Sequence, residues 1–402
     1  MYFSDIKKLD TDYIANTYAR FDLDIQSGDG VTAKDSAGKE YIDFSSGIGV
    51  NSLGFINDKW VAAVTEQLSA LNHISNLYYT TPMVKLAKAL CEKTGMKKVF
   101  FANSGAEANE GAIKTARKYS SDKYSAERCE IITLENSFHG RTIATLAATG
   151  QDVFHKNFGP FPGGFVFAAA NDIANLNSCI NDKTCAIMIE CVQGEGGVVP
   201  LSDEFVAEVQ KLCSEHDLLL LVDEVQTGVG RTGRFLCSEY FGLKPDVVTL
   251  AKGLGGGLPV GAVLFGEKCQ YTLAAGDHGS TFGGNPIVCA GALAVIDSID
   301  GKFLDNVSAK GEYFAQKLME INGVSGVSGK GMMIGITIPE NVKSADVAKH
   351  CIKKGLVVLT AKAKVRFLPP LTISYDEIDK GLALFAEALA EVITEANEKE
   401  AQ

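Results

Sequence analysis

Basic residues are scarce in this 402-residue chain: 38 Lys and Arg stand against 49 Asp and Glu, a formal net charge of −11. Nucleic-acid affinity rests largely on cations that neutralise phosphates, so a nucleic-acid partner is disfavoured. Long apolar runs are missing as well, since no stretch reaches the ~18 uncharged apolar residues of a membrane span. The first residues, MYFSDIKKLD, carry no apolar segment behind their lysines. A soluble, cytoplasmic protein with no membrane partner is expected. Only 10 prolines occur and there is no G-X-Y period, which excludes collagen. The ten cysteines never fall at C-x-x-C spacing, and most sit in apolar runs such as CAIMIECV (185–192). They read as buried free thiols of a reducing compartment, with neither a metal site nor disulfides expected.

What the chain does have is apolar mass and glycine. Hydrophobic residues make up 46% and charged residues 22%, enough for a large core and two or three domains. The 41 glycines exceed the usual share of about 7%. Short apolar runs, 98–102, 130–134, 185–190, 218–222, 246–250 and 261–265, alternate with helical patterns at 106–119 and 203–216. Such alternation indicates an α/β core with a parallel sheet buried on both faces. After about residue 300 the pattern changes to a helix (302–321), strands at 332–338, 356–359 and 364–367, and a terminal helix (376–396). The expected organisation is a large domain over 61–300 and a smaller α+β domain over 301–402, joined by the N-terminal segment 1–60.

The glycine-rich segments suggest phosphate, yet the common nucleotide motifs fail. Around Gly253–Gly257 the last position of G-x-G-x-x-G falls on Leu258 or Val260. The P-loop-like run VSGVSGKGM has Val324 where Gly is needed and Gly331 where Ser or Thr should stand. What remains is a set of polar residues at strand ends, where open α/β sheets place ligands. Ser104, Gly105 and Ala106 follow the strand 98–102 and open a helix, so they form an N-cap or a phosphate site. Asp223 ends LLLLVD, where a carboxylate calls for a cationic partner. Lys252 ends DVVTLAK beside four glycines. Together they supply an anion site, a carboxylate for a cationic ring nitrogen, and an amine able to condense with an aldehyde. Pyridoxal 5'-phosphate needs all three.

At these positions the chain resembles the class III pyridoxal-phosphate aminotransferases. The similarity runs nearly end to end, through NTYARF (16–21), NLYYT (76–80), NSGAEANEGAIKTAR (103–117), SFHGRT (137–142), QGEGG (193–197), DEVQTGVGR (223–231), AKGLGGGLPVGA (251–262), HGSTFGGNP (278–286) and RFLPPL (366–371). Within the class it is most similar to the branch acting on acetylornithine. The resemblance implies an aspartate-aminotransferase-like fold (fold type I), with a large, mostly parallel sheet domain and a smaller α+β domain. It implies that Lys252 bonds the coenzyme covalently and moves a proton, that Asp223 holds the ring nitrogen and that Gln226 neighbours the phenolic oxygen. Phe138 and Val225 would flank the ring. Ser104, Gly105, Ala106 and a Thr281 from a second subunit would bind the phosphate, which makes the protein a homodimer with shared active sites.

For substrates, the resemblance implies an amino donor, N2-acetyl-L-ornithine, and 2-oxoglutarate as acceptor. Arg366 would take the carboxylate beside the reacting amine of glutamate, with Glu195 pairing with it otherwise. Arg141 would hold the distant carboxylate of acetylornithine, with Tyr18 and the partner's Ser280 at the same pocket. The chain departs from the class pattern at GFIND (54–58), where a G-H-x-H-P run is common, and at Cys191, where Pro is common. Rivals within the fold are succinyl-diaminopimelate, ornithine or 4-aminobutyrate aminotransferases and an aminomutase. A coenzyme-binding transcription regulator would need a helix-turn-helix and a basic face, and neither is visible.

Overall fold

The computed structural model describes residues 2–400. Its centre is a seven-stranded sheet in the order Lys98–Ala102, Gly261–Phe265, Val247–Leu250, Leu219–Asp223, Thr184–Ile189, Glu130–Leu134, Phe165–Ala168. Every pairing among the last five strands of that order is parallel. The strand Gly261–Phe265 is antiparallel to both of its neighbours, so the sheet is mostly rather than wholly parallel. The cause lies in the connection. Only the short glycine-rich loop after Lys252 joins Val247–Leu250 to Gly261–Phe265, and a parallel return needs a crossover of a dozen or more residues. The strands Thr184–Ile189, Leu219–Asp223 and Val247–Leu250 are buried at every position, which explains their unbroken apolar runs.

One face of this sheet packs on the helix Gly105–Lys123 through Ala108, Ala112, Ile113 and Ala116; the other carries Phe205, Val209 and Leu212 of the helix Asp203–Glu215. Ser104 caps the first helix, its Oγ accepting from Glu107 N at 3.2 Å. Ser202 caps the second in the same way, accepting from Phe205 N at 3.1 Å. Both caps satisfy donors that a helix start leaves free.

A second, four-stranded sheet has the order Gly326–Lys330, Met333–Thr337, Lys364–Phe367, Leu359–Ala361, all antiparallel. Its outermost strand is the P-loop-like run itself: VSGVSGKGM folds as an edge strand and a tight turn at Gly331 rather than a phosphate loop. The expected strand 356–359 is divided. Leu356–Val357 pairs in parallel with Glu40–Asp43 of the N-terminal sheet, and Leu359–Ala361 joins the four-stranded sheet. Here Phe44, Phe314, Phe367 and Phe385 meet at centroid distances of 5.1 to 5.5 Å between the C-terminal helices and the sheet. GFIND forms a turn: Phe55 bridges to Gly30, and Asn57 caps the helix Asp58–Ala70 by accepting from Trp60 N. All ten cysteines are free. Among the described residues no helix is long and apolar enough to cross a membrane.

Candidate active site

A cavity of about 440 Å³ opens at the C-terminal ends of the parallel strands, where the chain turns from strand to helix. Ser104, Gly105 and Ala106 line it at the N-terminus of the 19-residue helix, and Phe138, Arg141, Asp223, Val225, Gln226 and Lys252 line it from other strand ends. Glycine is required at two of these approaches. A Cβ on Gly105 would lie 2.7 Å from Val225 Cγ1, and one on Gly261 would strike the Ser104 carbonyl oxygen. The helix start is thereby held against the sheet with its N–H groups towards the cavity, a geometry suited to an anion.

Asp223 is 3% exposed and fully partnered from behind. Its Oδ2 accepts from Asn109 Nδ2 at 2.8 Å and lies 2.8 Å from His139 Nδ1, and its Oδ1 accepts from Val225 N at 3.0 Å. A carboxylate only accepts, so His139 Nδ1 carries the proton. Asn109 also donates to the His139 carbonyl at 2.7 Å and accepts from Thr249 Oγ1 at 2.7 Å. Burial opposes charge on His139, but the hydrogen bond and charge of Asp223, with Glu190 behind them, outweigh it and raise the imidazole pKa. Glu190 is pushed up to about 7, mainly by burial, which the nearby His139 opposes and the Asp223 charge reinforces. Its Oε2 accepts from Phe138 N at 3.0 Å, which ties the ring-bearing loop to the sheet.

Lys252 sits at the end of its strand with φ +41°, in the left-handed region that costs a non-glycine residue about 1–3 kcal/mol. Burial lowers the pKa of its ammonium; Glu195 opposes this, Arg366 adds to it, and Asp223 and Glu190 oppose it. Among the described residues its Nζ has no hydrogen-bond partner. The result is an uncommitted amine that loses its proton more readily than an ordinary lysine.

Arg366 is 2% exposed on the strand Lys364–Phe367. Its Nη1 donates to Glu195 Oε1 at 2.6 Å and to Gln226 Oε1 at 3.0 Å, and Gln226 Nε2 donates to the same Glu195 oxygen at 3.3 Å. Burial raises the Glu195 pKa, but the Arg366 charge and hydrogen bond, then Lys252, bring it below the ordinary value. Arg141, at the exposed edge of the cavity, lies with its guanidinium 3.9 Å from the Phe154 ring centroid and 5.5 Å from that of Phe138.

Five expected residues lie outside the cavity lining: Arg366 and Glu195, which reach it through Gln226, and Tyr18, Thr281 and Ser280. Tyr18 is 70% exposed, stacked with Arg20 in the N-terminal segment. Thr281 is exposed. Ser280 Oγ accepts from Asn103 Nδ2 at 3.1 Å and from Gly283 N at 3.0 Å within its own chain. His139, Asn109 and Glu190 were not singled out by sequence. Glu190 did carry a signal: it follows the apolar run 185–189 as Asp223 follows 218–222, and the parallel register Val222↔Ile189 sets the two carboxylates side by side.

The arrangement of amine, buried carboxylate and helix start is matched by known proteins. The profile of the class-III aminotransferases aligns with residues 13–389. The chain belongs to the class-III aminotransferases. This class-III aminotransferase is 53% identical to the acetylornithine aminotransferase of Haemophilus ducreyi, over 96% of this chain and 99% of that one. It superposes on the N-acetylornithine aminotransferase of Stenotrophomonas maltophilia with a TM-score of 0.83 at 35% identity, covering 96% and 99% of the two chains. On the ornithine aminotransferase of Toxoplasma gondii, with PLP in partial occupancy at its active site, the TM-score is 0.92 at 29% identity, covering 98% and 96%. The class-III aminotransferases depend on pyridoxal phosphate, and the donor set fits it: a helix N-terminus for a phosphate, a carboxylate held by three donors for a cationic ring nitrogen, and a free amine for an aldehyde.

Proposed function

We propose that this aminotransferase moves the δ-amino group of N2-acetyl-L-ornithine to 2-oxoglutarate, giving N-acetyl-L-glutamate 5-semialdehyde and L-glutamate, as a step of amino-acid biosynthesis that we read as arginine biosynthesis. The observation that carries the substrate reading is the Arg366–Glu195 contact of 2.6 Å beside the cavity-lining Gln226. A buried guanidinium with its own removable counterion can meet two kinds of substrate. An amine whose carboxylate is far away leaves the pair closed. Glutamate, with a carboxylate next to the reacting amine, needs Arg366 released from Glu195.

When bound, pyridoxal phosphate supplies the aldehyde that receives the amino group and the ring that accepts the electrons of the cleaved C–H bond. The chain does the rest. Lys252 holds the coenzyme between turnovers and moves the proton taken from the donor's Cδ, a task helped by its lowered pKa. Asp223 keeps a proton on the ring nitrogen, while Phe138 and Val225 flank the ring and Gln226 neighbours its phenolic oxygen. Ser104, Gly105 and Ala106 receive the phosphate at the helix start. Arg141 grips the distant carboxylate of acetylornithine.

We read the assembly as a homodimer in which Thr281 and Ser280 complete the partner's site. In support, Thr281 is exposed between the half-buried Ser280 and Phe282, which is 60% exposed, and Leu77 and Tyr79 add further bare apolar surface. Mixing inactive Lys252→Ala and Thr281→Ala subunits then restores turnover in the hybrid, because one of its two sites holds both native residues. Absence of any recovery would exclude sharing.

The substrate reading is tested by comparing kcat/KM for acetylornithine, ornithine, succinyl-diaminopimelate and 4-aminobutyrate, each with 2-oxoglutarate. Acetylornithine is expected to lead. Dominance of ornithine or 4-aminobutyrate, or turnover without an oxoacid, would overturn it.

A further inference from the structure

Arg141 has an unusual setting for a cation at a cavity edge. Among the described residues no carboxylate lies within 4.0 Å of it, and its guanidinium instead lies 3.9 Å from the Phe154 ring centroid. Phe154 in turn meets Phe138 edge to face, with centroids 6.0 Å apart and planes at 80°. The platform is fixed from behind. Phe154 N donates to the Gln151 carbonyl at 3.0 Å, and the buried Gln151 side chain donates to the Ser137 carbonyl at 3.0 Å, one residue before Phe138. The next residue, His155, is itself tied down, with Nε2 2.9 Å from the Leu146 carbonyl oxygen and its ring 5.2 Å from that of Phe161.

A long arginine side chain at an exposed edge loses rotamer entropy when it grips a ligand, and a pre-set planar fork loses less. An aromatic face holds a guanidinium without neutralising it, whereas a carboxylate would hold it and cancel its charge. We propose that Phe154 is a positioning residue for the amino donor: its ring holds Arg141 flat and unpaired, so that both N–H groups of the fork stay free for the donor's distant carboxylate. The proposal rests on the reading of Arg141 as the carboxylate receptor and acts only through it.

The test is a double-mutant cycle on the holoenzyme with Arg141→Ala, Phe154→Leu, Phe154→Tyr and the double variant Arg141→Ala/Phe154→Leu, each checked for a native thermal transition. The amine is whichever carboxylate-bearing donor the wild type turns over best. Phe154→Leu keeps bulk but not the π face, and it is expected to raise KM for that amine about three- to tenfold with kcat little changed. Phe154→Tyr is expected to match the wild type. In the Arg141→Ala background, Phe154→Leu should have no further effect on KM. Equal KM increases with and without Arg141, a silent Phe154→Leu, or a loss confined to kcat would each overturn the proposal. If the preferred amine is not acetylornithine, the substrate reading falls while the cycle still decides the role of Phe154.

Discussion

Arg366 and Glu195 are 171 residues apart in sequence and 2.6 Å apart in space, the arginine almost sealed from solvent and the glutamate partly exposed beside the cavity-lining Gln226. The stabilisation this pair gives has a defined pH window. Because the folded-state pKa of Glu195 lies below its ordinary 4.5, the contribution is complete above that value and is lost as pH falls through the lower, folded one.

Glu195→Gln should therefore loosen the hold on Arg366 without emptying the site. Glutamate no longer has to displace a carboxylate, so its kcat/KM relative to acetylornithine rises about 10- to 100-fold. The coenzyme-free variant melts lower than the wild type, because Arg366 loses its counterion. Equal changes for both amines would show that the pair does not separate the two substrates.

Glu190 works in the opposite direction. Buried, it keeps its proton up to about pH 7 in the folded chain, whereas in the unfolded chain it ionises above its ordinary 4.5. Between these values the unfolded state releases the proton first, so native stability falls as pH rises through this range. Glu190→Gln removes that dependence, and its Tm should change less than the wild-type Tm between pH 5 and 7. Parallel Tm curves for the two proteins would rule this out.

Asp223→Asn keeps an acceptor for His139 and removes the charge. The His139 pKa should drop, because burial then acts with less opposition. If Asp223 holds the ring nitrogen of the coenzyme protonated as proposed, kcat should fall at least about 100-fold. Rapid kinetics and the visible absorbance of the coenzyme read this out. A variant with wild-type turnover would remove Asp223 from the mechanism.

Gly261→Ala places a Cβ against the Ser104 carbonyl oxygen, a backbone atom that cannot rotate away. The expected cost is about 1–3 kcal/mol, and if the helix start at Ser104 receives the coenzyme's phosphate as proposed, coenzyme affinity should fall with Tm. Gly163→Ala, where a Cβ meets nothing within 4 Å, serves as the control with no such change.

Much of the sheet was legible because its signal is local. The strands Lys98–Ala102, Glu130–Leu134 and Gly261–Phe265 coincide with their apolar runs, and a polar residue ending such a run marks the ligand edge. Asp223, Lys252 and Ser104 were found by that rule. The strand Phe165–Ala168 and the edge strand Gly326–Lys330 were not, the first for its brevity and the second because its glycines interrupt the apolar pattern of a strand. Glu190 obeyed the rule that found Asp223 but stood beside an unexpected Cys191, and His139 and Asn109 give no sign in sequence that they converge on one carboxylate.

By itself the sequence determined the class of fold, the strand-end position of the amine, the carboxylate and the cavity-lining helix start, and through its motifs the family. Those properties depend on residues within a few positions of one another, where the strand period and helix capping act. Tertiary structure alone decided the reversed direction of Gly261–Phe265, the division of 356–361 between two sheets, the convergence of His139 and Asn109 on Asp223 and the Phe154 face under Arg141. Each of these depends on segments far apart in the chain, and a pairing between distant segments is selected by the burial and hydrogen bonding of the whole core rather than by any local pattern.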